Sequence, residues 1–146
     1  PVTYVNAPLV AESRGIAIRE ESTSDSPDYQ SVVELSGVVA GTPRTIAGTF
    51  MERKGPVLIR VDGYEIELPI TRNMLLIRND DTPGVIGRVG THIGDAGVNI
   101  ADMVVGRHPD GGAMMGLSLY GPLGDEAAAG LLALPGIAAA RFIEVF

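Results

Sequence analysis

Pro83-Gly84 opens a stretch with helical spacing, Gly97 closes it, and Val98-Asn99-Ile100 runs straight from it into a strand. A short apolar strand, Met74 to Arg78, stands just before it. A helix held this tightly between two strands must lie on the sheet that those strands build. Thr82 is a good N-cap, and Pro83 suits the first helical position. Val85, Ile86, Val89, Ile93 and Ala96 recur at helical spacing and predict one apolar stripe. Gly87, Gly90 and Gly94 each cost the helix roughly 1 kcal/mol of propensity. Their expected return is close approach, either of the helix to a sheet or of something else to the helix. Gly97 fits the left-handed position after a helix.

The same alternation continues to the end of the chain. Ile100 to Arg107 reads as a strand, His108-Pro109-Asp110-Gly111-Gly112 as a turn, and Ala113 to Tyr120 as its partner strand. Gly124-Asp125-Glu126 opens a second helix through Leu132, and Leu134-Pro135-Gly136 breaks it. Ile137 to Val145 closes the unit as a last strand. The order β-α-β-β-α-β predicts an α+β, ferredoxin-like sandwich over residues 73–146, with two helices on one face of a four-stranded antiparallel sheet. That pattern alone says nothing of function.

Residues 1–72 read differently. They are strand-rich with tight turns and predict a partial α+β domain. Asn6 to Gly15 reads as a short helix, with Pro8 near its start and Gly15 as its stop. Ile16 to Glu21 reads as a strand, and Ser22 to Asp28 as a polar loop. Strands follow at Val32 to Val39, Thr45 to Met51 and Pro56 to Val61. Asp62-Gly63 is a two-residue hairpin signal that leads into Tyr64 to Leu68. There Ile66 and Leu68 alternate with Glu65 and Glu67, which gives the strand one wet face.

Composition narrows the classes. The chain has 146 residues, 45% of them hydrophobic, and a mean hydropathy of +0.22, enough to bury a real core. A net charge of -7 and a pI near 4.7 argue against nucleic acid or an anionic membrane as partner. With no cysteine there is no disulfide framework, thiol nucleophile or cysteine-based metal site. No apolar run approaches the ~20 residues that span a bilayer, and no signal-peptide pattern opens the chain. A cytoplasmic protein is the expectation. The first residue is Pro1, as after Met removal or in a piece cut from a longer protein.

Residues 74 to 145, with NDDTPGVIGRVGTHIGDAGVNI at 79–100, resemble an ACT domain, a small module that senses amino acids. The segment TYVNAPLVAESRGI, Thr3 to Ile16, resembles the intervening, allosteric substrate-binding domain that precedes the ACT domain in long-form D-3-phosphoglycerate dehydrogenases. The hairpin through Val61-Asp62-Gly63-Tyr64 has the form of the spacer in that family. The resemblance implies the C-terminal regulatory part of such an enzyme. It implies NAD-dependent oxidation of 3-phosphoglycerate, the first committed step of serine synthesis, with L-serine as feedback inhibitor. No nucleotide-binding or catalytic motif of the dehydrogenase lies in this chain. The expectation is therefore no catalytic residue, no metal and no cofactor in this piece, with NAD bound elsewhere in the full-length enzyme.

Matched by motif, the implied effector residues are Asn79, Asp81 and Asn99, with the backbone of Pro83, Gly84 and Val85. Asp81 would accept from the ligand ammonium and Asn99 would bond its carboxylate, from the partner subunit. Free amides at Gly84 and Val85 would add a favourable field. Asn79 departs from the ring-bearing residue common at its position. An Asp before a helix also serves as a cap, and an Asn after Gly as a turn residue. The partners implied are L-serine or a similar small amino acid and a second copy of the chain. The expected homodimer seam runs along Leu75, Ile77 and the strand Ile100 to Val105. Two other readings stay open: a free-standing amino-acid-binding regulator, and the regulatory part of an L-serine dehydratase.

The intervening domain in the family can bind an anion through clustered basic residues. Here the matching hairpin, Tyr64 to Pro69, is acidic, which leaves Arg53, Lys54, Arg60 and Arg72 as candidates. Other constellations are empty. His92 and His108 have no ligand-like spacing, and His92 reads as a surface residue. Ser22, Ser24 and Ser26 have no base nearby in sequence. Gly84-x-x-Gly87-x-x-Gly90 is not a phosphate-binding fingerprint. Met103, Met114 and Met115 read as core filler.

Overall fold

The computed structural model describes residues 2–19, 21 and 28–145. They form two compact units, Pro1–Gln30 and Ser31–Phe146. The first unit carries helix α1 (Ala7–Ser13), with proline in its first turn. Gly15 at φ +70° ends it, and its amide donates to the Glu12 carbonyl at 2.9 Å. Residues 16–19 and 21 are not a strand, contrary to expectation. Ile16 and Ile18 alternate, but both are exposed, and no ladder forms on them. Alternation without a partner strand holds no ladder. Glu20 and most of the polar loop, residues 22–27, lie outside the described residues.

The second unit opens with four strands in sequence order: β1 (Val33–Val39), β2 (Thr42–Met51), β3 (Gly55–Val61) and β4 (Tyr64–Pro69). The Asp62-Gly63 hairpin forms as expected, with φ +48° and +83°. Ala40-Gly41 makes a second such turn, at +49° and +79°, which the sequence does not signal because alanine rarely takes a left-handed backbone. In β4, Ile66 and Leu68 are buried while Glu65 and Glu67 are exposed.

The remaining strands are β5 (Asn73–Asn79), β6 (Ile100–Arg107), β7 (Ala113–Leu119) and β8 (Ile137–Glu144). They form an antiparallel sheet in the order β6-β7-β5-β8, with α2 (Val85–Asp95) and α3 (Asp125–Leu131) in the β-α-β-β-α-β order. This is the ferredoxin-like unit expected from the pattern. The two faces of β5 serve two cores. Leu75 and Ile77 pack with Val85, Val89 and Ile93 of α2 and Leu131 of α3. Met74 and Leu76 pack the other way, against Leu58, Val61, Ile66 and Leu68 of the first sheet. All seven residues of β7 are buried, which suits a strand covered on both faces.

The two sheets meet most closely where β4 crosses β6. A Cβ built on Gly106 would lie 2.0 Å from the Glu65 carbonyl oxygen. Only a residue without a side chain fits there. Nothing local in the sequence marks Gly106.

Helix α2 departs from expectation in three ways. It begins at Val85 with Gly84 as N-cap at φ +86°, not at Thr82 and Pro83. Thr82 turns its hydroxyl back to Asp80 instead, at 2.8 Å, so it is not free to cap. Ile86 is 51% exposed, and Ala96 follows the helix and is exposed too, which leaves the buried stripe to Val85, Val89 and Ile93. Its glycines do not serve the sheet: a Cβ on Gly87, Gly90 or Gly94 would meet nothing within 4 Å. Gly87→Ala and Gly94→Ala should therefore each raise stability by about 0.5–1 kcal/mol, through helix propensity alone. Urea denaturation checks this, and a fall in stability in either variant would show hidden packing on that face.

Helix α3 contacts β8, and His92 of α2 lies against α3, its Nε2 2.7 Å from the Ala127 carbonyl oxygen. His92 is thus half-buried between helices, not the surface residue expected. Around the α2 axis the three glycines lie on the side away from His92.

Candidate functional site

The loop between β5 and α2 is built from its own side chains. Asn79, the last residue of β5, is buried. Its side-chain amide donates to the Ala113 carbonyl at 3.2 Å, and its Oδ1 accepts from the Asp81 amide at 2.9 Å. Asn79 therefore holds the loop, and its polar atoms are engaged by backbone. Asp80 accepts from both the amide and the hydroxyl of Thr82, at 3.1 and 2.8 Å. The Asp80 amide reaches the Gly136 carbonyl at 3.0 Å, which ties the loop to β8. Arg88 donates to the Pro135 carbonyl at 3.1 Å from the other side.

These bonds fix Asp81 at φ +57°, a left-handed backbone that Asp tolerates better than most residues. The carboxylate then points across to the edge strand, where Arg107 Nε donates to Oδ2 at 2.7 Å. That contact holds the guanidinium above its ordinary range. Arg107 was not among the expected site residues. Its place beside Asp81 follows from the register that sets Arg107 and Asn79 both opposite Ala113, which no local pattern reveals. No side chain caps the first turn of α2. The Val85 amide is not free as expected: it donates to the Thr82 carbonyl at 3.3 Å, because Pro83-Gly84 closes a turn there.

The bonds from Thr82 lower the Asp80 pKa from its ordinary 3.8. A carboxylate depressed in the folded state stabilises above its unfolded pKa. That contribution is lost as pH falls through the lower folded value. Asp80→Asn should flatten the acid limb of the stability curve below about pH 4. Urea midpoints between pH 2 and 7 measure it, and an unchanged acid limb would count against the Thr82 bonds.

Asn99 lies at the other end of α2, exposed, its carbonyl accepting from the Tyr120 amide at 3.0 Å. The helix between has 11 residues. At 1.5 Å per residue that is about 16 Å. Asp81 and Asn99 of one chain are thus not brought together. The expected seam also needs correction. Leu75 and Ile77 belong to an interior strand and are 1% and 0% exposed, so they face the core. Strand β6 is an edge, as the seam requires, with Ala101, Asp102 and Val105 exposed.

The basic residues expected for an anion are dispersed and mostly paired. Lys54 meets Glu67, Arg60 meets Glu34, and Arg72 meets Glu144. Among the described residues no cluster of His, Asp or Glu could hold a metal, and no helix is long and apolar enough to cross a membrane.

Comparison with known proteins agrees with this division of labour. Residues 1–62 match the D-3-phosphoglycerate dehydrogenase intervening domain, and residues 73–132 match the ACT domain. A D-3-phosphoglycerate dehydrogenase of Bacillus subtilis (strain 168) is 34% identical over 145 residues, 99% of this chain and 28% of that protein. One from Methanocaldococcus jannaschii is 35% identical over 137 residues, 93% of this chain and 26% of that protein. One from Mycobacterium leprae is 40% identical over 104 residues, 68% of this chain and 19% of that protein. The chain thus spans less than a third of the length of each. With a match to the intervening domain followed by a match to the ACT domain, the chain belongs to the D-3-phosphoglycerate dehydrogenase family and represents its regulatory part.

Proposed function

We propose that this chain is the C-terminal regulatory region of an NAD-dependent D-3-phosphoglycerate dehydrogenase, and that it binds L-serine as feedback effector at a seam between two ACT domains. Residues 1–72 would be the partial intervening domain and residues 73–146 the ACT domain. The whole enzyme would oxidise 3-phosphoglycerate with NAD bound outside this region. The observation that carries the effector reading is the Asp81–Arg107 pair at the uncapped start of α2. It offers one anion and one cation side by side, and an amino acid carries the complementary two.

The edge strand supports a two-chain site. An unpaired strand edge favours a second strand. If β6 pairs antiparallel with its copy about a two-fold axis, residues near its start lie beside residues near the partner's end. Asn99 would then approach Asp81 of the partner subunit, although the two are far apart within one chain. Packing of a second copy near the glycines of α2 would leave room for a hydroxymethyl side chain but not for a ring. Asp81 would take the ligand ammonium, and Asn99 and Arg107 its carboxylate, with the backbone of Pro83 and Gly84 at the helix start. Asn79 would act from behind, by holding the loop.

Calorimetric titration with L-serine, glycine and L-phenylalanine tests this, alongside sedimentation. Serine should bind one site per chain in a dimer, glycine more weakly, and phenylalanine not at all. A 15.3 kDa monomer at micromolar concentration would exclude the seam. Equal binding of phenylalanine and serine would exclude the proposed pocket.

A further inference from the structure

Asp-Gly occurs twice in this chain, at Asp62-Gly63 and at Asp110-Gly111. Both pairs sit in turns, yet the fold treats them oppositely. Asp62 is pinned. Its Oδ2 lies 2.6 Å from Arg44, and its Oδ1 accepts from the Thr45 amide at 2.9 Å. Its own amide donates to the Thr45 carbonyl at 2.9 Å. The side chain is only 25% exposed. Gly63 is covered as well, because a Cβ built on it would lie 2.8 Å from His108 Nε2. The turn is also short: Val61 and Tyr64 on either side of it already pair in the β3–β4 ladder.

Asp110-Gly111 lies in the connection 108–112, beyond the Arg107–Ala113 pair that ends the β6–β7 ladder. The Asp110 side chain is 92% exposed. Among the described residues it meets His108 alone, whose Nδ1 lies 3.6 Å from Oδ2. The Gly111 amide donates to the His108 carbonyl at 3.0 Å, a bond within the turn itself. Nothing lies within 4 Å of the Gly111 Cβ position, and its φ of +103° is one that glycine takes freely. An exposed carboxyl group thus stands next to a backbone nitrogen that no side chain shields.

We propose that Asp110-Gly111 is a site of covalent self-modification, at which the aspartyl bond rearranges to isoaspartate, and that the fold protects Asp62-Gly63 from the same reaction. The Gly111 nitrogen attacks Cγ of the protonated Asp110 carboxyl. The N–Cγ bond forms and the Cγ–OH bond breaks. The hydroxyl leaves with the nitrogen's proton as water, and a five-membered succinimide remains. Water then adds back to the imide. Cleavage at Cγ restores aspartate, while cleavage at the main-chain carbonyl carbon leaves the chain running through Cγ as isoaspartate. No oxidant or reductant enters, and one water leaves and one returns. The product has one more carbon in the main chain between His108 and Gly112, with a carboxylate on the α-carbon. That lengthens the turn beside the Arg107–Ala113 pair, whose register sets Arg107 next to Asp81. The reaction itself does not depend on the effector reading of Asp81.

The test is to age the folded chain in mildly acidic buffer at body temperature and label it with an isoaspartyl methyltransferase and a radioactive methyl donor. Trypsin cuts after Arg60, Arg72, Arg107 and Arg141, so the two Asp-Gly pairs fall in separate peptides. Label in the Asp110 peptide should exceed that in the Asp62 peptide about tenfold or more, because reaction at Asp62 must first break a charge pair and backbone hydrogen bonds. In guanidinium chloride the two peptides should label alike, since the residue after each aspartate is the same. Asp110→Glu should remove the label from its peptide, because glutamate would have to close a larger and slower ring. Absence of label at Asp110 in the folded chain, equal label at Asp62, a difference that persists in denaturant, or label retained in Asp110→Glu would each overturn the proposal.

Discussion

Gly106→Ala should lower the melting temperature of this chain by roughly 10 °C. The reasoning is steric. The added Cβ would lie 2.0 Å from the Glu65 carbonyl oxygen and 2.8 Å from both its carbon and Ile66 Cγ2. Two of those atoms are backbone, so no rotamer change relieves the contact. Either β4 lifts from β6, or β6 shifts against β7. Overpacking of this kind costs about 3 kcal/mol at the upper end of its usual range, and each kcal/mol is worth roughly 3 °C in a chain of this size. Gly121→Ala is the control, because nothing lies within 4 Å of its Cβ position. Thermal denaturation followed by circular dichroism measures both. Equal melting temperatures for the two variants would show that the sheets do not meet at Gly106. A two-step transition in Gly106→Ala would show the ferredoxin-like unit surviving after the first sheet leaves it.

Asp81→Ala and Asn99→Ala should each weaken L-serine ten- to a hundredfold. The ligand is small, so its affinity rests on a few charge-assisted bonds rather than on area. Removing one partner strands a ligand charge, which costs ~1.5–3 kcal/mol. The two variants should differ in a second respect. Asp81→Ala also frees Arg107 from its 2.7 Å contact, so the site gains net positive charge and the ligand carboxylate is partly compensated. Asn99 has no such counterpart. Asp81→Ala should therefore leave some affinity for a carboxylate without an ammonium, such as glycolate, and Asn99→Ala should not. Mixing the two single variants adds a check on the two-chain site. Half of the seam sites in a mixed dimer would hold both intact residues, and the other half neither. Recovery of parental serine affinity in part of the mixture supports the shared site. Unchanged affinity in both single variants would remove these residues from it.

Periodicity carried most of the fold. The left-handed Gly97, the Asp62-Gly63 turn and three of the five stripe residues, Val85, Val89 and Ile93, are local features, decided within a few residues, and they stand where the pattern put them. Where one local preference opposed another, the pattern failed. Thr82 has the chemistry of a helix cap, but Asp80 two residues earlier captured its hydroxyl, and the helix start moved to Val85. Ile16 and Ile18 have a strand alternation, but among the described residues no strand pairs with them. The glycines of α2 called for a close approach to the sheet, and the sheet does not come near them.

The sequence by itself determined the order of elements from β1 onward, the class of fold and the family, because turn chemistry, helical spacing and motif residues are all short-range information. The tertiary structure alone decided what stands beside what. Leu75 and Ile77 looked like seam residues until strand order placed β5 inside the sheet. Asp81 and Arg107 are 26 positions apart and meet only through the register of β5, β7 and β6. Arg78 and Arg141 are further apart still and become neighbours when β8 pairs with β5. Gly106 has no local reason to be glycine, and its reason is a carbonyl on another sheet. A sequence states each residue's chemistry, but the distance between two such residues is a property of the closed chain, and a site is made of distances.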